Sequence, residues 1–196
     1  MMKSSQSWKH GALGAFLAGA LCGQAAQAAP TLSVAQLPDP ATVGNVFTLT
    51  VALADVADLY AYNFSLNFDA ASMQAVGGVE GTFLSTGGST FFGAGTIDNT
   101  AGKIDFVFDA LVGTVQGVSG TGVLASFTFT ATQAGTSQVS FSEVTFLNSS
   151  FQDITVTAGT GTVTLAAAVP EPANWALASL GLLAVGTAVR RRTAAR

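Results

Sequence analysis

Histidine and cysteine are almost missing from this chain: the one His is His10 and the one Cys is Cys22, both within the first 28 residues. Everything after residue 28 therefore lacks an imidazole base, a thiol nucleophile and the usual zinc ligands. It can form no disulfide either. Catalysis there would have to rest on carboxylates alone, as in a glycosidase pair. Asp105 and Asp109 are the residues to offer for such a pair, but acidic residues on a strand face read more simply as solvated. The sequence points to a non-enzymatic protein without metal or cofactor. Cations are as scarce: between Ala29 and Val169, Lys103 stands alone against ten carboxylates, a net charge of −9. Such a surface repels phosphate, so nucleic acid is excluded as a partner, and anionic membrane surfaces with it. Proline is absent from 41–169, as paired strands prefer.

What is present in that middle region is a period of two. In "LYAYNFSLNFD", Tyr60, Tyr62, Phe64, Leu66 and Phe68 fall on one face, with Ala61, Asn63, Ser65, Asn67 and Asp69 on the other. "NVFTLTVALAD" groups Phe47, Leu49, Val51 and Leu53. "KIDFVFDA" sets Ile104, Phe106 and Phe108 against Lys103, Asp105, Val107 and Asp109. "GVLASFTFTAT" sets Val123, Ala125, Phe127 and Phe129 against Ser126, Thr128 and Thr130. Alternation this strict predicts antiparallel strands with one buried face. Further strands are expected at 31–36, 73–79, 89–97, 136–142, 144–147 and 152–165, and a single helical turn in "EGTFLST". Gly-rich turn signals separate them, and the pattern predicts an all-β, two-sheet antiparallel sandwich. Thirteen of the 14 Phe lie in this region, enough for one core and no second domain.

The two ends read differently. Lys3 and Lys9, the apolar "GALGAFLAGALCG" and the small residues of "AQA" at 26–28 have the layout of a secretory signal peptide, with cleavage expected after Ala28 and passage through the secretion translocon. Leu21 stands before Cys22 where lipidation requires a small residue. From Ala173 to Val189 runs a stretch of 17 residues with no ionisable side chain, followed at once by Arg190, Arg191 and Arg192. As a helix it spans roughly 25 Å, enough to cross a membrane with the arginines on the cytoplasmic side. With Pro170-Glu171-Pro172 before it, this tail closely resembles the PEP-CTERM sorting signal of Gram-negative bacteria. That resemblance implies handling by an exosortase, a membrane protease-transpeptidase, and delivery to the cell surface or the extracellular matrix. The expected division is a signal peptide over 1–28, a sandwich domain over 29–168 and a sorting tail over 169–196.

Within the domain, "VGNVFTLTVALADVADLYAYNFSLNFDAASMQAVGGVEGTFL", "DNTAGKIDFVFDAL" and "GVSGTGVLASFTFTATQAGTSQVSF" resemble a cohesin domain in order and spacing, over about residues 31–165. The resemblance implies a nine-stranded jelly roll related to carbohydrate-binding modules, and a noncovalent partner of the calcium-loaded dockerin kind. The family's usual Tyr-Asp-Pro is here Phe68-Asp69-Ala70, whose Asp suits a turn cap. In cohesins the partner docks on the outer face of one sheet. Carried onto this chain, that face is Ala61, Asn63, Ser65 and Asn67 beside Lys103, Asp105, Val107 and Asp109.

The alternative partner is a polysaccharide. Sugar rings usually lie on exposed planar aromatics, yet the domain has no Trp. Tyr60 and Tyr62 are expected to face inward. In "TFFG" one of Phe91 and Phe92 must face out, which gives one ring rather than a platform. "DNTAGKID" carries Asp98 and Asp105 but lacks the alternating oxygen ligands and terminal Glu of a calcium loop, so it reads as a hairpin turn. A structural surface protein without a specific partner is the third reading.

Overall fold

The computed structural model describes residues 28–168. In chain order they form β1 (Thr31–Leu37), β2 (Ala41–Thr42), β3 (Val46–Asn67), β4 (Met73–Glu80), the helical turn α1 (Thr82–Ser85), β5 (Thr90–Gly93), β6 (Thr96–Asp98) and β7 (Lys103–Leu111). Then follow β8 (Val118–Ala131), β9 (Gly135–Asn148), β10 (Thr157–Ala158) and β11 (Gly161–Ala166). The expected leader and sorting tail, with the helix at about 173–189, lie outside the described residues, save Ala28 itself. Among the described residues no helix is long and apolar enough to cross a membrane.

At 22 residues β3 is far longer than the usual five or six, because it serves both sheets. Its first part, 46–59, pairs with β8, and 48–54 pairs with β1 on the other side; β4 extends the sheet beyond β8. Its second part, 59–67, pairs with β7 and β9, and β5 and β6 extend that sheet beyond β7. The corner is made by Asp55 and Asp58, both left-handed at φ 58° and 57°. Bulges there bend the strand, and hydroxyls of β8 satisfy the displaced amides: Thr121 accepts from Asp55 N–H and Ser119 from Asp58 N–H. What reads in sequence as two strands, 45–55 and 59–69, is thus one strand folded over a corner.

The far seam is closed by a side chain. The Gln36 amide donates to the Thr164 carbonyl at 2.8 Å and accepts its N–H at 2.7 Å, so it stands in for a missing ladder step between β1 and β11. Between the sheets lie Leu49, Val51, Leu53, Phe127 and Phe129 from one side and Tyr62, Phe64, Leu66, Ile104 and Phe146 from the other, all at most 3% exposed. Tyr62 stacks on both Phe64 and Phe146 at 5.8 Å.

Four other boundaries depart from the expected pattern. The stretch 89–97 breaks at Gly95, whose φ of 79° ends β5 before β6 begins. The stretches 136–142 and 144–147 fuse into β9 through a left-handed Glu143, and 152–165 separates into β10 and β11. In β8 a bulge opposite Val51 and Ala52 skips one residue, so Leu124 is buried and Val123 only half-buried, the reverse of simple alternation. The turn at "EGTFLST" is α1, and Asp69 Oδ1 caps its turn by accepting Ala71 N–H.

Candidate docking face

The outer surface of the second sheet is built from β9, β3, β7 and β5/β6. Cross-strand register aligns its side chains in rows: Leu147, Ala61, Ala110 and Phe91 in one, Thr145, Asn63, Phe108 and Gly93 in the next. Beyond them come Ser65 and Asn67 beside Lys103 and Asp105. The face is therefore apolar at one end and polar at the other.

The change of character occurs at paired bulges. The β3–β7 register slips between Phe64 and Leu66, and the β3–β9 register between Asn63 and Ser65. Opposite those slips stand Phe106 and Glu143, each left-handed at φ 54°. An extra residue shifts the side-chain phase by one, so from Phe106 onward β7 presents the opposite set from the one its alternation implies. Phe106 is 59% exposed and Phe108 half-exposed, whereas Val107 and Asp109 point into the core at 0% and 1%. Asp109, expected among the outward binding residues, is a buried residue. Phe91 faces out, and its ring lies 5.5 Å from Phe108, which in turn lies 5.4 Å from Phe106. The expected single ring is a strip of three. The Phe108 ring covers Gly93, where an added Cβ would sit 2.2 Å from it.

Asn63, Ser65, Asn67, Lys103 and Asp105 do come together. Ser65 is at the centre, outward by phase yet fully covered by its neighbours. Its hydroxyl oxygen lies 2.8 Å from both Asp105 Oδ1 and Glu143 Oε2 and accepts Phe106 N–H at 3.2 Å. One hydroxyl proton serves only one carboxylate at a time. The Lys103 ammonium reaches the same two oxygens at 2.9 and 3.3 Å. The Lys103 contact first, and the Ser65 bond second, hold the Asp105 carboxyl below the ordinary carboxylate range. Those contacts, the Asp105 bond above all, hold the Lys103 ammonium above its own ordinary value. Exposed pairs of this kind add little stability; two acids on one lysine instead leave the centre of the face negative. Asn67 donates to Ser142 Oγ at 3.0 Å.

Next to this cluster is a concavity of about 170 Å³, lined on the outside by Ala61, Asn63, Phe106, Phe108, Ala110, Thr145 and Leu147. Its chemistry suits a partner side chain that is apolar at its tip, with a donor or cation beside it for the acid pair. Asp98 belongs to the β6–β7 hairpin, its Oδ1 accepting the N–H groups of Thr100 and Ala101. Among the described residues no three His, Cys, Asp or Glu side chains gather as for a metal.

Sequence reasoning missed Glu143, Phe106, Phe108, Thr145 and Leu147. A signal for Glu143 was there: Phe141, Val144 and Phe146 cannot all share one face without an extra residue between them. For β7, Ile104 and Leu111 are both core residues at odd spacing, which requires one change of phase.

Comparison with known proteins agrees with this architecture. No curated protein matches the sequence significantly. Among solved structures, the second type II cohesin module of the ScaA scaffoldin of Acetivibrio cellulolyticus superposes with a TM-score of 0.60 at 16% identity, covering 75% of this chain and 96% of that one. A non-cellulosomal cohesin from the archaeon Archaeoglobus fulgidus gives 0.55 at 14%, covering 74% and 94%. A type I cohesin–dockerin complex from Clostridium thermocellum gives 0.58 at 14%, covering 71% and 95%. At such identities these likenesses speak for the fold. The family model for the cohesin domain matches residues 34–165, and the chain belongs to the cohesin family.

Proposed function

We propose that the outer face of the β9–β3–β7–β5/β6 sheet docks a dockerin-like protein, noncovalently, at the cell surface or in the extracellular matrix. The observation that carries this reading is the pairing of an exposed Phe91–Phe108–Phe106 strip with a negative Ser65–Lys103–Asp105–Glu143 cluster around one concavity. Binding faces take much of their affinity from an apolar anchor seated in a desolvated pocket, and their specificity from a charged surround. A partner with an apolar side chain beside a basic one matches both halves, and the −9 charge of the domain favours basic partners at longer range. The solved complexes of related cohesins with dockerins support the choice of partner class. Export through the secretion translocon and handling by an exosortase-type protease rest on the sequence of the two ends.

The test is calorimetric titration of the purified chain with calcium-loaded type I and type II dockerin modules. Asn63→Arg fills the concavity, and Asp105→Arg reverses the sign of the cluster. Either should weaken binding at least 100-fold without moving the melting temperature by more than a few degrees. Undiminished affinity in both variants, or no binding by any dockerin, sinks the proposal.

A further inference from the structure

A second recess lies at one end of the sandwich, between the 112–117 loop and the 148–152 turn. Its two walls are fastened together by one carboxylate. Asp58 Oδ1 accepts Gly117 N–H at 2.9 Å, while Oδ2 accepts the Ser149 hydroxyl at 2.7 Å and its N–H at 3.3 Å. Tyr60 lies at the base, its hydroxyl donating to the Gly113 carbonyl at 2.6 Å. Beside it is Phe151, edge to face at 5.3 Å and 69% exposed. Phe151 is held left-handed at φ 57°, a conformation that is an outlier for so bulky a residue. The turn enforces it: Asn148 Oδ1 accepts the N–H groups of Ser150 and Gln152, both at 2.9 Å. Thr114, Val115 and Gln116 complete a cleft of about 280 Å³.

We propose that this cleft binds one sugar ring of a neutral polysaccharide, with Phe151 against the C–H face of the ring and Thr114 and Gln116 on its hydroxyls. The lining holds amide, hydroxyl and carbonyl groups but no cation, and its fastening carboxylate is turned to its own walls by three hydrogen bonds. An anionic ligand finds no counter-charge there, and a cationic one finds only a carboxylate already engaged by both walls. A wholly apolar one strands the polar groups at a desolvation cost. A pyranose answers both demands, since its axial C–H bonds meet the negative face of the aromatic ring and its hydroxyls meet the neutral donors and acceptors. The volume is just under the ~300–1,000 Å³ of drug-sized sites, which limits the cleft to one ring. The walls are preorganised, so little ordering opposes binding.

Saturation-transfer NMR on the purified chain, with the methyl glycosides of glucose, galactose, mannose and N-acetylglucosamine, tests this. At least one should take up saturation on its ring C–H protons. Phe151→Ala, a change at an exposed site, should weaken that signal tenfold or more with melting unchanged. Phe91→Ala, on the docking face, should leave it intact, so this proposal and the docking proposal fail separately. Silence from all four glycosides, or a signal indifferent to Phe151→Ala, overturns the assignment. So does a proline-rich decapeptide that perturbs Phe151 when no glycoside does, because the cleft would then be a peptide site.

Discussion

Replacing Asp109 by Asn should stabilise this domain at pH 8 and do nothing for it at pH 4. The Asp109 carboxyl is 1% exposed, and neither oxygen finds a hydrogen-bond partner. Burial, and after it the charge of Glu80 on β4, push it up from 3.8 to about 7. Glu80 Oε1 accepts the Thr90 hydroxyl at 2.7 Å. Tyr62 on β3 is raised in turn by burial and by these two acids; it stays neutral and donates to the Leu124 carbonyl at 2.8 Å. A native acid raised this far holds its proton more tightly than the unfolded chain does. Below pH ~4 both states are protonated and no penalty exists. As pH rises toward about 7 the unfolded state ionises first, so stability falls throughout that window and stays low above it. A shift of about three units corresponds to about 4 kcal/mol at most.

Asn carries no charge at any pH, so the variant escapes that loss. For a domain of this size, ~4 kcal/mol is a gain of roughly 10–15 °C in melting temperature. Thermal melts of both chains at pH 4, 6 and 8 give the difference curve. Acids remote from Asp109 are common to the two chains and cancel, and any constant cost of an unpartnered amide offsets the difference curve without changing its slope. A difference that stays flat from pH 4 to 8, or a variant that loses ground as pH rises, refutes the reasoning.

Phe127 is fully buried, so Phe127→Ala should cost about 3–5 kcal/mol, read from denaturant midpoints. Gly93→Ala should displace the overlying Phe108 ring and weaken dockerin binding in calorimetry while shifting the melting temperature little, because that ring lies on the surface. Replacing Pro170, Glu171 and Pro172 together by Ala should leave the protein in the inner-membrane fraction, since the apolar stretch and arginines remain; normal arrival at the surface would contradict the sorting role. Truncation after Val169 should yield a soluble exported domain. A chelator should leave the melt of the domain unchanged; a shift of many degrees would reveal a structural ion.

The sandwich was legible because burial on one face imposes a period of two. Tyr62, Phe64, Leu66, Phe127 and Phe129 are where alternation puts them, as are Asn63, Asn67 and Lys103. Alternation carries phase, however, and phase survives only as far as the next bulge. Asp55 and Asp58 sit on a corner that sequence reads as a gap between two strands. Glu143 sits where the pattern visibly stumbles. The β7 bulge left a fainter mark: Ile104-x-Phe106-x-Phe108 scans as an unbroken apolar stripe, and only the odd spacing of Ile104 and Leu111 betrays the change of phase. Beyond Phe106 the inward residues Val107 and Asp109 were therefore assigned to the partner, and the aromatic half of the face went unseen. The Phe151 cleft was out of reach for another reason: it joins residues 60, 113–116 and 149–151, which no local pattern connects.

The inversion in β7 itself argues for the docking face. Without the bulge at Phe106, two phenylalanines would turn inward and Asp109 would turn to water, at the expense of Val107 and Leu111, which the bulge buries at 0% and 3%. The chain instead holds a bulky residue left-handed, leaves one Phe 59% exposed and seals an acid at 1%. Each of these is unfavourable: the backbone conformation by about 1–3 kcal/mol, the sealed acid by up to about 4 kcal/mol at neutral pH, and the exposed ring by the burial it forgoes. Local rules broken together collect where a protein does its work. Here all three serve one result, an apolar strip laid beside the Ser65–Lys103–Asp105–Glu143 cluster. Stability alone has no use for that strip, whereas a partner seated across it removes the exposed Phe106 ring from water and recovers part of what folding gave up.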